Sequence, residues 1–78
     1  MSLNDLKIGQ KAVISEMLLG QNVKKKLMEM GLTCGAEVSL RQRAPLGDPL
    51  WIEVRGYGLI LRKEEAQHIS VIPASPAV

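Results

Sequence analysis

The sequence predicts a mainly β domain, a small and partly open barrel of about five strands with one or two short helices. Three observations carry that expectation. Apolar and polar residues alternate with period two through Ala36–Arg43 and Leu50–Arg55, and Leu59 and Leu61 repeat the pattern in Gly58–Arg62. Glycine and proline turns separate these stretches. Only Val23–Met30 spaces its apolar residues as a helix does.

The chain begins with Leu3, Leu6 and Ile8, residues that cover one end of a core. Leu3–Leu6 reads as one helical turn with Asn4 or Asp5 near its start, and Gly9-Gln10 as a turn. Lys11–Leu19 is a strand candidate, with the β-branched pair Val13-Ile14 in favour, a helix as runner-up, and Gly20 at its end. Its two faces, Ala12/Ile14/Glu16 and Val13/Ser15/Met17, are both mixed. Asn22 is the expected N-cap of the helix. Val23, Leu27 and Met30 form its apolar stripe, and Lys24, Lys25 and Lys26 lie mostly off it. Gly31 then stops the helix in the left-handed region, and Leu32 packs back on Leu27 in a Schellman arrangement. The helix has only about two turns, so docking onto the sheet must hold it. Thr33-Cys34-Gly35 turns the chain into the Ala36–Arg43 strand. Two prolines and a glycine make residues 44–49 a loop. Gly56-Tyr57 reads as a type II′ hairpin turn. Lys63–Gln67 is a short helical turn, His68–Ile72 the last strand, and residues 73–78 a tail. One domain thus fills residues 1–78, its core within about 3–72. A barrel of SH3-like type fits this size.

Composition excludes several function classes. The chain has 78 residues and 46% hydrophobic content, with no Phe, one Trp and one Tyr. Stacking of single-stranded nucleic acid needs more aromatic faces than that. The net charge of +2 is far from a nucleic-acid stripe. A single Cys excludes an internal disulfide and, without a signal peptide, fits a reducing cytoplasm. No apolar run nears the ~20 residues of a membrane span, so a role at a membrane would be indirect, through something already there.

Two stretches resemble a known family. LMEMGLTCGAEV (27–38) is similar to the R-L-x-x-L/M-G-L-x-P-G-x-x-V signature of FeoA proteins. APLGDPLWIEVRGYGLILRKEEAQHISV (44–71) is similar to that family's A-P-x-G-D-P run and the G-x-x-[LI]-[AS]-L-R-x-x-[ED]-A pattern after it. The lead-in LNDLKIGQKAVI is similar too. Cys34 stands where the family more often has Pro, and Lys26 where Arg is usual. The resemblance implies a cytoplasmic SH3-like domain that assists bacterial ferrous iron uptake. It implies binding to a FeoB-type membrane transporter from the cytoplasmic side. The same fold occurs as the C-terminal domain of DtxR-type metal-dependent repressors, so a free-standing regulatory module is the alternative reading. Self-association stays open.

Few residues offer chemistry. There is no nucleophile–base pair with a third orienting group and no G-x-x-x-x-G-K-[ST] loop, so no enzymatic role is expected. No cofactor is expected, since iron is the cargo of the implied pathway. The weak metal candidates are Glu64 and His68, at i, i+4, followed by Glu65 and Cys34; the preferred reading is a solvated helix terminus with His68 at the start of the last strand, and Cys34 a neutral substitution. Arg41, Arg43, Arg55 and Arg62 could each serve a partner GTPase, and nothing distinguishes them. Partner contact is expected instead from apolar residues the small core cannot hold, among them Met17 and Ile60. The chosen set is Leu18, Leu19, Met28, Leu46 and Trp51, expected to form one patch, with Lys24 and Lys25 beside them. Gly31, Leu32 and Gly35 are the structural turn that orients the helix.

Overall fold

The computed structural model describes residues 1–74. The C-terminal part of the expected tail, residues 75–78, lies outside the described residues. Five antiparallel strands form one open sheet in the order β4-β3-β2-β1-β5. They are β1 (Lys11–Met17), β2 (Glu37–Arg43), β3 (Leu50–Val54), β4 (Tyr57–Leu61) and β5 (Ile69–Pro73). Two α-helices join them, α1 (Gln21–Glu29) and α2 (Lys63–Ala66), and one 3-10 turn, Leu3–Asp5, precedes them. The last strand therefore runs through Pro73, one residue into the expected tail, and the Ala74 N–H donates to the Lys11 carbonyl.

The mixed faces of β1 are resolved by a bulge. Ile14 pairs with Val71 and Glu16 with Ser70, which leaves Ser15 as the extra residue. Beyond it the alternation reverses. Ala12, Ile14 and Met17 all point into the core, and Glu16 is exposed. Met17 is therefore a core residue and not a surplus apolar one. The strand stops there, before the expected Gly20. A second bulge at Arg41 separates the pairs Leu40–Ile52 and Gln42–Trp51. It turns Arg43, opposite the buried Leu50, onto the core side of β2. There the Arg43 guanidinium donates to the Asn4 side chain and carbonyl and to the Leu6 carbonyl, 3.0 Å away. This clamp places Leu3 and Leu6, both buried, over one end of the core.

The core is aliphatic throughout, and among the described residues no polar side chain is buried. The turns differ from expectation in two places. Arg55 and Gly56 both have positive φ, 51° and 85°, and Val54 pairs with Tyr57. The β3–β4 turn is therefore type I′ centred on Arg55-Gly56, not type II′ on Gly56-Tyr57. The N-cap of α1 is Gly20, whose carbonyl accepts from the Lys24 N–H at 2.9 Å; Asn22 sits inside the first turn and caps nothing.

Candidate partner-binding groove

The stop of α1 fixes where the helix lies. Gly31 has φ 93°, its N–H donates to Met28 at 3.0 Å, and the Leu32 N–H reaches back to the Leu27 carbonyl at 3.0 Å. Those two bonds are the Schellman pair. Leu32 is fully buried, a contribution of about 1.5–3 kcal/mol. The β3–β4 hairpin tip holds the same turn. Arg55 Nε donates to the Gly31 carbonyl at 3.3 Å, and a Cβ on Gly31 would lie 2.7 Å from Tyr57 Oη. The helix end is thus pinned beside the start of β4.

The rest of α1 does not sink into the sheet. Leu27 is its one buried residue, while Val23 and Met30 remain 39% and 37% exposed. The expected stripe is therefore docked at its centre only. The helix is thus pinned at its C-terminal end and docked through Leu27, with Val23 and Met30 left accessible on either side. Between α1 and β4 this leaves a groove of about 630 Å³. Leu27, Leu59 and Leu61 supply its buried apolar lining; Val23, Met30 and Ile60 supply its exposed apolar lining.

The far end of the groove is closed by loop 44–49 and α2. Pro45 follows Ala44 in a tight turn closed by Gly47 N–H to Ala44 at 2.7 Å, with Leu46 at its tip and 94% exposed. Asp48 Oδ1 accepts the Lys63 N–H at 2.9 Å, and Glu65 Oε1 accepts the Arg62 N–H at 3.1 Å. Both carboxylates satisfy free donors at the start of α2. The Gly-Asp-Pro residues of this loop are thereby explained by backbone bonding. Lys26 from α1 and Arg62 from the end of β4 also line the groove, and neither side chain has a polar partner among the described residues.

The residues expected to form one patch fall at separate places. Met28 shares a shallow depression with Lys24 and Lys25 on the outer side of α1. Trp51 shares another with Pro49 and Ile60 on the outer face of the sheet, and its indole lies 3.0 Å from the position of a Cβ on Gly58. Met28 and Trp51 thus line different depressions. Leu18 is exposed, but Leu19 is half-buried and packs on the core, so it is not a free surface residue. Leu19 turns inward because the chain must cross from β1 to α1 over the core edge.

None of the residues chosen to meet a partner lines the groove, whose accessible side chains include Val23, Lys26, Met30, Ile60 and Arg62. Val23 and Met30 look like core residues by spacing, and only the shortness of the helix hints that they are not. Three of the four arginines are engaged. Arg41 pairs with Glu53, Arg43 clamps the N-terminal turn, and Arg55 holds Gly31 and Thr33. His68 lies beyond the end of α2, with its carbonyl accepting the Leu18 N–H at 2.8 Å. Among the described residues no three His, Cys, Asp or Glu side chains gather where they could hold a metal ion. No helix there is long and apolar enough to cross a membrane.

Fold and groove define a small β domain of the SH3-like kind whose accessible feature is an apolar cleft at a sheet edge. Comparison with known proteins gives the family. The FeoA domain matches residues 1–73, and the chain belongs to the FeoA family. A curated relative, the Fe(2+) transport protein A/Fe(2+) transporter FeoB fusion protein of Porphyromonas gingivalis, is 35% identical over 71 residues. That match takes 91% of this chain and 8% of the fusion protein, so the chain spans a small fraction of that relative. The solution structure of a FeoA protein from Chlorobium tepidum superposes with a TM-score of 0.93 at 35% identity, covering 96% of this chain and 71% of that one. The Stenotrophomonas maltophilia FeoA crystallised with zinc superposes at 0.79 with 29% identity, over 92% and 89% of the two chains. That protein is described as a procaryotic SH3 domain protein and suggested as a ferrous iron transport activating factor.

Proposed function

We propose that this chain is a non-enzymatic accessory of bacterial ferrous iron uptake that works in the cytoplasm by binding a FeoB-type transporter. The observation that carries this reading is the fusion protein of Porphyromonas gingivalis, in which an iron transport protein A segment and a FeoB transporter share one chain. Two domains joined in that way meet at high effective concentration, and separate chains of the same kind must meet by affinity. The apolar groove between α1 and β4 supports the reading, because an exposed apolar cleft is what a binding domain offers a partner. Iron is cargo of the transporter in this account, and the chain itself carries none.

The test is a titration of the chain against the transporter's soluble GTPase domain and against the intact transporter, each with GDP, with a GTP analogue and without nucleotide. Saturable binding to either is expected. Absence of binding to both in every nucleotide state overturns the reading.

A further inference from the structure

The groove has a feature that an ordinary apolar cleft lacks: one wall is an unpaired strand edge. β4 ends the sheet, with β3 on one side only. A two-residue hairpin closes on a hydrogen-bonded pair, here Val54–Tyr57, and bonded pairs then alternate along the ladder. Ile52–Leu59 and Leu50–Leu61 are therefore bonded pairs, and Glu53–Gly58 and Trp51–Ile60 are not. The N–H and C=O groups of Gly58 and Ile60 point away from β3. They have no backbone partner among the described residues.

The opposite edge is treated differently. At β5 the Val71 N–H donates to the Met1 carbonyl at 2.9 Å, and Ser2 bridges to Ser70. One edge is capped by the chain's own N-terminal residues, and the other borders the groove. An uncovered edge is a template for another strand. A strand added there would run between β4 and α1, which is the β-augmentation mode of peptide recognition. Its side chains would alternate. Every second one would continue the row of Leu59 and Leu61 toward Leu27, Val23 and Met30. The others would continue the row of Trp51 and Ile60.

Charge narrows the occupant. Of the acids in the groove, Asp48 and Glu65 are engaged by the main chain of α2, which leaves Glu64 uncommitted. Lys26 and Arg62 are both uncommitted. The uncommitted side chains are two cations and one acid, so an acidic side chain on the incoming strand has two partners and a basic one has only Glu64.

The geometry points to strand addition at β4 as the mode of partner binding: an extended segment of the transporter's cytoplasmic part pairs with Gly58 and Ile60. Alternate apolar residues of that segment enter under α1, and an acidic residue meets Lys26 and Arg62. This rests on the function proposed above, and it adds the kind of segment bound and the backbone groups that bind it.

The test is amide hydrogen exchange of the chain, free and saturated with the cytoplasmic part of a FeoB-type transporter. At least tenfold slower exchange at Gly58 and Ile60 is expected on binding. Ile60→Pro removes one edge donor at a position whose N–H faces solvent, where a strand tolerates proline. It is expected to weaken binding at least tenfold, whereas Ile60→Thr, which keeps the donor, loses less. Lys26→Glu with Arg62→Glu is expected to weaken binding by a similar factor and reads the charge without touching the ladder. Binding that leaves Gly58 and Ile60 exchange unchanged overturns strand addition and leaves the accessory function standing. Absence of any binding overturns both. Slowed exchange at these two amides that appears with rising concentration of the chain alone makes the occupant a second copy and overturns the assignment.

Discussion

Gly31 meets two separate demands at one position. Its φ of 93° is costly for any residue with a Cβ, and that Cβ would collide with Tyr57 Oη at 2.7 Å. Gly31→Ala is therefore expected to destabilise the fold by at least about 1–2 kcal/mol, read as a lower urea midpoint. Cys34 is the opposite case. The Ala36 N–H donates to Thr33, and Gly35 at φ 91° occupies the third position of that turn. This is the type II arrangement, whose second position favours proline. Cys34 holds that second position, and its N–H makes no backbone bond among the described residues. Cys34→Pro is expected to stabilise the chain by about 0.4–1 kcal/mol through the unfolded state, and a raised urea midpoint with unchanged slope would show it. Asp5 adds a pH dependence. The Ser2 backbone N–H, 2.8 Å from its carboxylate, holds its pKa below the usual Asp value against desolvation, helped by the Ser2 hydroxyl and by the charges of the N-terminal amine and Arg43. A carboxyl depressed in the folded state stabilises above its unfolded value and loses that contribution as pH falls through the folded one. The Ser2 amide shift is thus expected to titrate with a midpoint below about pH 3.9, and a midpoint at or above that value would show the bond absent in solution.

At the scale of elements, Arg43 ties the N-terminal turn to β2 through three acceptors. Charge-assisted bonds that leave their carbonyls unpaired when broken are worth about 1.5–3 kcal/mol, and Arg43→Met is expected to cost that much in chemical denaturation. A loss under about 0.5 kcal/mol would show the clamp to be replaceable by water. The sequence carries the period of β2 and β3 openly because both strands keep one face buried, as Val38/Leu40 and Leu50/Ile52/Val54 show. It hides the Ser15 bulge, because an inserted residue reverses the alternation without any residue type that announces it. The same holds for Arg41 and so for the inward turn of Arg43. The helix stop is legible because Gly31 and Leu32 have local geometric duties. The groove is not, because Val23 and Met30 have core-like spacing and their exposure depends on how far α1 stands from β4. Trp51 is legible as an outward residue from its alternation with Glu53, whereas its cover of Gly58 depends on strand pairing.

For the whole molecule, the order β4-β3-β2-β1-β5 makes stability and reactivity run across the sheet. β2 and β3 have neighbours on both sides, and their buried residues include Val38, Leu40, Leu50, Ile52 and Val54. Their amides open only with the whole fold, so they set the slowest exchange in the chain. The two edges are expected to differ from each other. At β5 the Val71 amide is shielded because it donates to the Met1 carbonyl, although it points away from β1. At β4 the Gly58 and Ile60 amides have no such cover. Native-state exchange should therefore find Val71 slow and Gly58 and Ile60 fast in the free chain, with Leu59 and Leu61, which alternate with them along β4, slow. Removing Met1 and Ser2 should speed Val71 while leaving Leu59 and Leu61 unchanged, since the lost bond belongs to one edge and the β3–β4 ladder to the other. Fast exchange at Val71 in the intact chain would mean that the N-terminal residues do not cap β5 in solution. The contrast between the edges would then vanish. With equal edges, the groove beside β4 would owe its distinctness to α1 alone.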